Sequence, residues 1–188
     1  MANNGMIQWL LFAGGSAAIS AVSWKSLHKP GSHGFYRFFS WEAILGLFLV
    51  NVKFWFIHPF VWNQIIAWFL LFASLVPLGF GIHSLRTRGK PIQQREGDPS
   101  LLAFEKTTQL VTSGIYHYIR HPLYSSLFLL TWGIFFKSIS WLSFLLAGVS
   151  TLFLVLTAKA DEAECTQFFG VQYSEYMKHT KMFVPYII

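Results

Sequence analysis

The sequence predicts an all-α integral membrane protein of about five transmembrane helices that closes in a helical hairpin. Three observations carry this. Of the 188 residues, 54% are hydrophobic and only 12% are charged, about half the roughly 25% of a globular chain. The apolar residues gather into runs near the 20 residues that a helix needs to cross the hydrocarbon. The basic residues sit between those runs rather than on one face, which argues against nucleic acid as a partner.

The first run, Ile7 to Val22, has no positive charge ahead of it beyond the amino terminus, and no small-residue cleavage pattern before Trp24-Lys25. It is therefore expected to be a retained span rather than a signal peptide. The second, Phe39 to Ile57, carries Glu42, Asn51 and Lys53 within an otherwise apolar stretch. The third, Trp62 to Ile82, contains Pro77, expected to bend the helix or unwind its end. The fourth, Leu123 to Phe136, is short for a crossing unless it extends back through Tyr116 to His121. The fifth, Ile139 to Ala158, follows after only Lys137 and Ser138, so the two form a tight antiparallel hairpin. The chain reads as one polytopic domain over 1–188, with a three-span part over 1–85 and a remainder over 86–188 that holds the chemistry.

Charge placement sets the expected orientation. Lys25, Lys29 and Arg37 fall in the first loop, and Arg86, Arg88, Lys90, Arg95, Lys106 and Arg120 in the third. Lys159, Lys178 and Lys181 follow the fifth span, while the opposite side has only Lys137. The positive-inside rule then puts the N-terminus outside and the C-terminus in the cytoplasm. The third loop, rich in Gly, Pro and charge, is expected to be mostly irregular. Beyond Ala158, Phe168, Phe169, Tyr173 and Tyr176 share one flank of a helix or helix pair. Asp161, Glu162 and Glu164 precede them, either opening a new helix or riding on a fifth span that continues past the membrane surface.

Candidate chemistry concentrates in "SGIYHYIRHPLYSS". His117 and His121 are four apart, a metal-ligand spacing on a helix, with Glu162 as a conceivable third ligand. Pro122 directly after His121 disfavours the regular helix this would need, so no metal is expected. The lone Cys165 excludes an internal disulfide or a multi-cysteine cluster. Arg120 reads either as an anchoring charge or as a guanidinium fork for a carboxylate or phosphate. Folding the hairpin brings Asp161 and Glu162 to the membrane level of His121. Basic and acidic groups then face one another in a pocket at the membrane edge. Such a pocket, with several tyrosines, suits S-adenosylmethionine, although a nicotinamide dinucleotide or a lipid headgroup would also fit. GxGxxG after a strand, GxSxG and HExxH are all absent, which excludes a soluble Rossmann-type domain.

Two motifs go further. "LVTSGIYHYIRHPLY" followed by "DEAECTQFFGVQYSEYMKHTKMFVP" resembles the isoprenylcysteine carboxyl methyltransferase family, whose pattern reads LVxxGxYxxxRHPxY, then paired acids, FGxxYxxY and a closing proline. The matching residues are Leu110, Val111, Gly114, Tyr116, Arg120, His121, Pro122 and Tyr124, then Asp161, Glu162, Phe169, Gly170, Tyr173, Tyr176 and Pro185. The likeness covers roughly the C-terminal half and is strongest to compact prokaryotic and archaeal integral-membrane members. It implies S-adenosylmethionine, leaving as S-adenosylhomocysteine, held at the cytoplasmic face by Gln109, Leu110, Val111, Tyr116, His121, Pro122, Leu123 and Tyr124. Asp161 and Glu162 would close the site, with Arg120 and Glu162 in catalytic roles.

Two departures bear on the methyl acceptor. Asp161 stands where glutamate is usual. The arginine that eukaryotic members place one turn before the acids falls near Thr157, with Lys159 the nearest cation in sequence. The resemblance implies transfer to the carboxylate of a lipophilic, prenylcysteine-like small molecule or prenylated peptide entering from the bilayer between helices such as the second and fifth. A carboxylate needs no base, only a positioned cation and exclusion of water. The alternatives are a phospholipid amine, for which Glu162 or Asp161 would serve as base, and an NADPH-dependent sterol-type reduction. The closing "VPYII" has no cysteine for prenylation, so the chain is not expected to be its own substrate.

Overall fold

The computed structural model describes residues 2–90, 105 and 107–185. Among the described residues six α-helices follow one another: α1 Ala2–Leu27, α2 His33–Asn51, α3 Trp62–Arg88, α4 Pro122–Lys137, α5 Trp141–Phe169 and α6 Val171–His179. Short 3-10 turns, Val52–Phe54 and Gly114–His117, follow α2 and precede α4. There is no strand among the described residues beyond one isolated parallel bridge, Ile119 to Lys181. Among the described residues four stretches, Gly5–Leu27, His33–Phe54, Trp62–Arg88 and Trp141–Phe169, are long and apolar enough to cross a membrane. The architecture is that of a multi-pass integral membrane protein.

The structure decides three points that the sequence left open. The fourth segment does not extend back through Tyr116. Pro122 takes the first helical position, where its missing N–H costs nothing, and α4 is 16 residues long, about 24 Å at 1.5 Å per residue. This short helix lies against α2, α3 and α5. The third helix runs unbroken through Pro77 to Arg88, so the expected unwinding does not occur. Finally, no helix begins at Asp161. The fifth span continues to Phe169, where Gly170 adopts φ +63° and lets α6 start in a new direction. The residues 91–104 and 106 of the irregular loop lie outside the described residues.

Packing follows from small residues and satisfied polar groups rather than from a water-driven core. A Cβ on Gly133 would lie 3.1 Å from the Leu71 backbone nitrogen, so glycine there lets α4 approach the α3 backbone. Leu47, Ile134, Phe135 and Ala147 join α2, α4 and α5 in one buried cluster. Several polar side chains within the bundle find partners, as an apolar solvent demands. Asn51 Nδ2 donates to the Ile134 carbonyl at 3.1 Å, and the Ser143 hydroxyl donates to Asn51 Oδ1 at 3.1 Å. Ser150 lies 3.1 Å from Ser40 and 3.2 Å from Thr131. At the far end Lys137 Nζ donates to Gln64 Oε1 at 3.0 Å and sits 3.4 Å from the Trp68 ring centroid.

Candidate functional site: a cavity at the start of the fourth helix

The short segment between the 3-10 turn and α4 is held by pairing with the chain after α6. The Arg120 N–H donates to the Lys181 carbonyl at 2.8 Å, the His121 N–H to Met182 at 3.2 Å, and the Lys181 N–H to Tyr118 at 3.2 Å. The Ser125 hydroxyl donates to the Phe183 carbonyl at 2.7 Å, and the Tyr176 hydroxyl to the Tyr116 carbonyl at 2.5 Å. His121 is the N-cap residue, fixed just ahead of Pro122, with its ring stacked on Tyr124 at 5.3 Å and 24°.

Acids on α5 meet this segment, and helical geometry sends each one elsewhere. At about 100° per residue, Asp161 and Glu164 lie near one another on the helix while Glu162 is turned away. Asp161 Oδ2 is 3.4 Å from His121 Nδ1, and Glu162 Oε1 is 3.2 Å from His121 Nε2. Arg120 Nε donates to the same Glu162 oxygen at 2.7 Å. Its Nη1 also donates to the carbonyls of Met177 and Thr180. Glu164 reaches α2, accepting from the His33 backbone N–H at 3.0 Å and pairing with its Nδ1 at 2.5 Å.

The result is a cavity of about 310 Å³. Of the residues singled out in the sequence, Leu110, Val111, Tyr116, Arg120, His121, Pro122, Leu123, Tyr124 and Asp161 line it. Gln109 does not. It is exposed, its N–H donating to the Gly89 carbonyl at 3.3 Å. Glu162 is likewise absent from the wall and stands behind Arg120 and His121. The expected flank is present, since Phe168, Phe169, Tyr173 and Tyr176 all face the cavity. His117 lies in the 3-10 turn and is not part of the wall.

Several wall residues lie outside the site expected from the sequence. Glu105 and Glu164 line the cavity, as does the exposed Lys29. Arg37, buried in α2, donates from Nη1 to both oxygens of Glu105 at 3.0 and 3.2 Å. An arginine near the edge of an apolar run is a warning of function in a membrane protein, but its partner 68 residues away is invisible in the sequence. Thr157 is fully buried, its hydroxyl donating to the Phe153 carbonyl at 2.6 Å, and Lys159 is exposed. Neither faces the cavity. Arg37, rather than Lys159, is the buried cation on the α2 side.

Electrostatics favour a charged imidazole. Burial would lower the His121 pKa, but hydrogen bonds and charge from Asp161 and Glu162 outweigh it and hold the imidazole above its ordinary value. Burial pushes the phenols of Tyr116, Tyr173 and Tyr176 up, so they are neutral donors. One atom from each of His33, Asp161 and Glu164 falls within 4.8 Å of the others. Both Glu164 oxygens are engaged by His33, which suits an ion pair between helices better than a metal.

The phospholipid methyltransferase family model matches residues 100–171, the stretch that supplies most of this cavity. Methanethiol S-methyltransferase of Crocosphaera subtropica is 28% identical over 176 residues, a match covering 85% of this chain and 63% of that protein. The chain thus spans less than two thirds of this relative's length. No solved structure matches the chain significantly. Both motifs and these matches make the chain similar to integral-membrane methyltransferases of the isoprenylcysteine carboxyl and phospholipid methyltransferase kind.

Proposed function

We propose that the chain is an S-adenosylmethionine-dependent methyltransferase acting on a lipophilic small molecule, with its site at the cytoplasmic face. The observation that carries this is the convergence of both family motifs on one cavity. Leu110, Tyr116, His121 and Tyr124 from the first motif meet Asp161, Phe169 and Tyr173 from the second. The residues present fit the donor. Asp161 and Glu105 suit its cationic groups, the aromatic wall suits adenine, and Lys29 at the exposed rim suits its carboxylate. Bound there, the donor supplies an activated methyl group on a sulfonium.

The chain's own part is to orient and to exclude water. Arg120 and Glu162, proposed from the sequence as catalytic, act in this reading through His121 and the chain after α6, which they hold in place. Gln109 contributes by its backbone alone.

For the acceptor, the family likeness supports a prenylcysteine-like carboxylate, and the phospholipid methyltransferase match supports a lipid amine. The similarity to a methanethiol S-methyltransferase adds a thiol. The route expected between the second and fifth helices is filled by packing, with Phe39 stacked on Phe153 at 5.0 Å and Ser40 bonded to Ser150. An open apolar groove instead runs along α2 and α4, closed on one side by Ile19 of α1.

Thermal unfolding of the detergent-purified protein tests the donor. S-adenosylhomocysteine should stabilise it and NADPH should not. The reverse result would overturn this reading in favour of a sterol-type reductase.

A further inference from the structure

Tyr116, Tyr124, Tyr173 and Tyr176 line the cavity, and their hydroxyls are in two different states. The Tyr176 hydroxyl is committed to the Tyr116 carbonyl at 2.5 Å. Those of Tyr116, Tyr124 and Tyr173 make no hydrogen bond among the described residues, although the three side chains are only 8%, 5% and 4% exposed. A hydroxyl withdrawn from bulk water without a partner is unfavourable. None of the three oxygens is sealed inside the protein, so each opens onto the cavity that its residue lines. Such groups are matched only when a ligand brings acceptors.

Tyr173 differs from the other two. Packing accounts for the burial of Tyr124, which joins Leu154, Ala158 and Phe183, and of Tyr116, which joins Leu85 and Val111. Tyr173 belongs to neither cluster, and its ring meets Tyr176 edge-on at 5.8 Å. The backbone aims it instead. Gly170 redirects the chain at φ +63°, and the Tyr173 N–H donates to the Gly170 carbonyl at 3.2 Å. Further along, Tyr176 and the Arg120 clasp at Met177 and Thr180 hold α6 in place. Burial, with Cys165 and Asp161 of the same wall close enough to add to it, keeps the phenol protonated. Tyr173 also lies beyond residues 100–171, the stretch matched by the family model.

An α-amino acid carries its ammonium and its carboxylate on one carbon. A site that recognises it needs an acceptor and a donor side by side, and Asp161 and Tyr173 are such a pair. We propose that Tyr173 reads the amino-acid end of the methyl donor: its hydroxyl donates to the donor's carboxylate, while Asp161 faces the adjoining ammonium. Lys29 at the rim supplies charge to the same carboxylate, and the phenol supplies direction. Tyr176, three residues further on, then serves structure. This rests on the methyltransferase reading above and adds to it a residue that selects the donor.

The test is calorimetric titration of the full chain in detergent with two ligands. S-adenosylhomocysteine has the amino-acid end, and methylthioadenosine has the adenosine and the sulfur without it. Tyr173→Phe keeps the ring and removes the hydroxyl. It should weaken S-adenosylhomocysteine about fivefold or more and leave methylthioadenosine unchanged. The unfolding temperature of the ligand-free variant should match that of the unmodified protein, because no protein group bonds to the hydroxyl. Tyr176→Phe should lower it, because the bond to the Tyr116 carbonyl is lost. Unchanged affinity for S-adenosylhomocysteine in Tyr173→Phe overturns the proposal. So does an equal loss for both ligands, which would put the hydroxyl at the adenosine end. A fall in the ligand-free unfolding temperature as large as that of Tyr176→Phe also overturns it, by making Tyr173 structural. If S-adenosylhomocysteine does not bind the unmodified protein at all, the methyltransferase reading itself falls.

Discussion

His33 and Glu164 are joined twice across 131 residues, once through the His33 backbone N–H at 3.0 Å and once through its ring Nδ1 at 2.5 Å. His33 opens α2, so a carboxylate there also meets the positive end of the helix dipole. The contact fastens the start of α2 to the C-terminal part of α5, which carries the cavity acids. Glu164→Ala leaves a buried histidine and a helix N–H without their acceptor. A loss of about 1–3 kcal/mol is expected, seen as a lower unfolding temperature in detergent. Glu175→Ala, at an exposed pair with Lys178, should change it little.

Arg120 is a clasp with three partners: Glu162, Met177 and Thr180. Arg120→Ala should release the chain after α6, exposing the peptide bonds near Lys178 and Lys181 to trypsin in limited proteolysis. Arg120→Lys should rescue poorly, because one ammonium cannot reproduce the fork that serves a carboxylate and two carbonyls. Protease resistance equal to that of the unmodified protein in both variants would contradict the clasp.

Much of this site was legible because its two motifs are contiguous in sequence. The stretch from Leu110 to Tyr124 and the acids at Asp161 and Glu162 each announce themselves, and the short link between α4 and α5 implies that they meet. The span positions followed from apolar runs for the same reason. What stayed hidden depends on contacts between distant helices. Nothing near Arg37 names Glu105, and nothing near His33 names Glu164, because tertiary packing alone pairs them. Pro77 is accommodated inside an unbroken α3, since neighbouring helices can re-satisfy a backbone group that would break an isolated segment.

The His121 imidazole predicts a pH dependence with a definite sign. Asp161 and Glu162 raise its pKa against the opposing effect of burial. A raised imidazole contributes stability that is complete below the unfolded value of about 6.5 and is lost as pH rises through the folded value. The unfolding temperature should therefore fall as pH increases above about 6.5, measured by fluorescence in detergent. His121→Gln should flatten this slope and lower stability at acidic pH. A slope unchanged by the substitution would assign the effect to another group.

Gly133 sets the distance between α3 and α4. An added Cβ would lie 3.0 Å from the Leu71 side chain and 3.1 Å from its backbone nitrogen, and the backbone cannot move aside. Gly133→Val is expected to cost about 1–3 kcal/mol through overpacking. Gly148→Ala, with nothing within 4 Å of its Cβ, should be neutral or slightly stabilising, since alanine is the better helix former. Thermal unfolding of the two variants side by side reads the difference.

Asp161 and Glu162 are adjacent, yet they should fail differently when neutralised. Asp161 forms part of the cavity wall and accepts a weak bond from Cys165 at 3.5 Å. Glu162 stands outside that wall and is shared between Arg120 and His121. Asp161→Asn removes a charge that a cationic ligand would meet, so S-adenosylhomocysteine, which carries an ammonium, should bind about tenfold or more weakly; losing the His121 pairing also lowers the unfolding temperature, while the chain after α6 stays attached. Glu162→Gln leaves the wall intact but strips the clasp of its charge. Its main effect should be a lower unfolding temperature and looser attachment of the chain after α6, with affinity reduced only as far as that chain is displaced. Calorimetric titration paired with limited proteolysis separates the two. Equal losses of affinity, with proteolysis unchanged in both, would mean that Glu162 acts on the ligand directly.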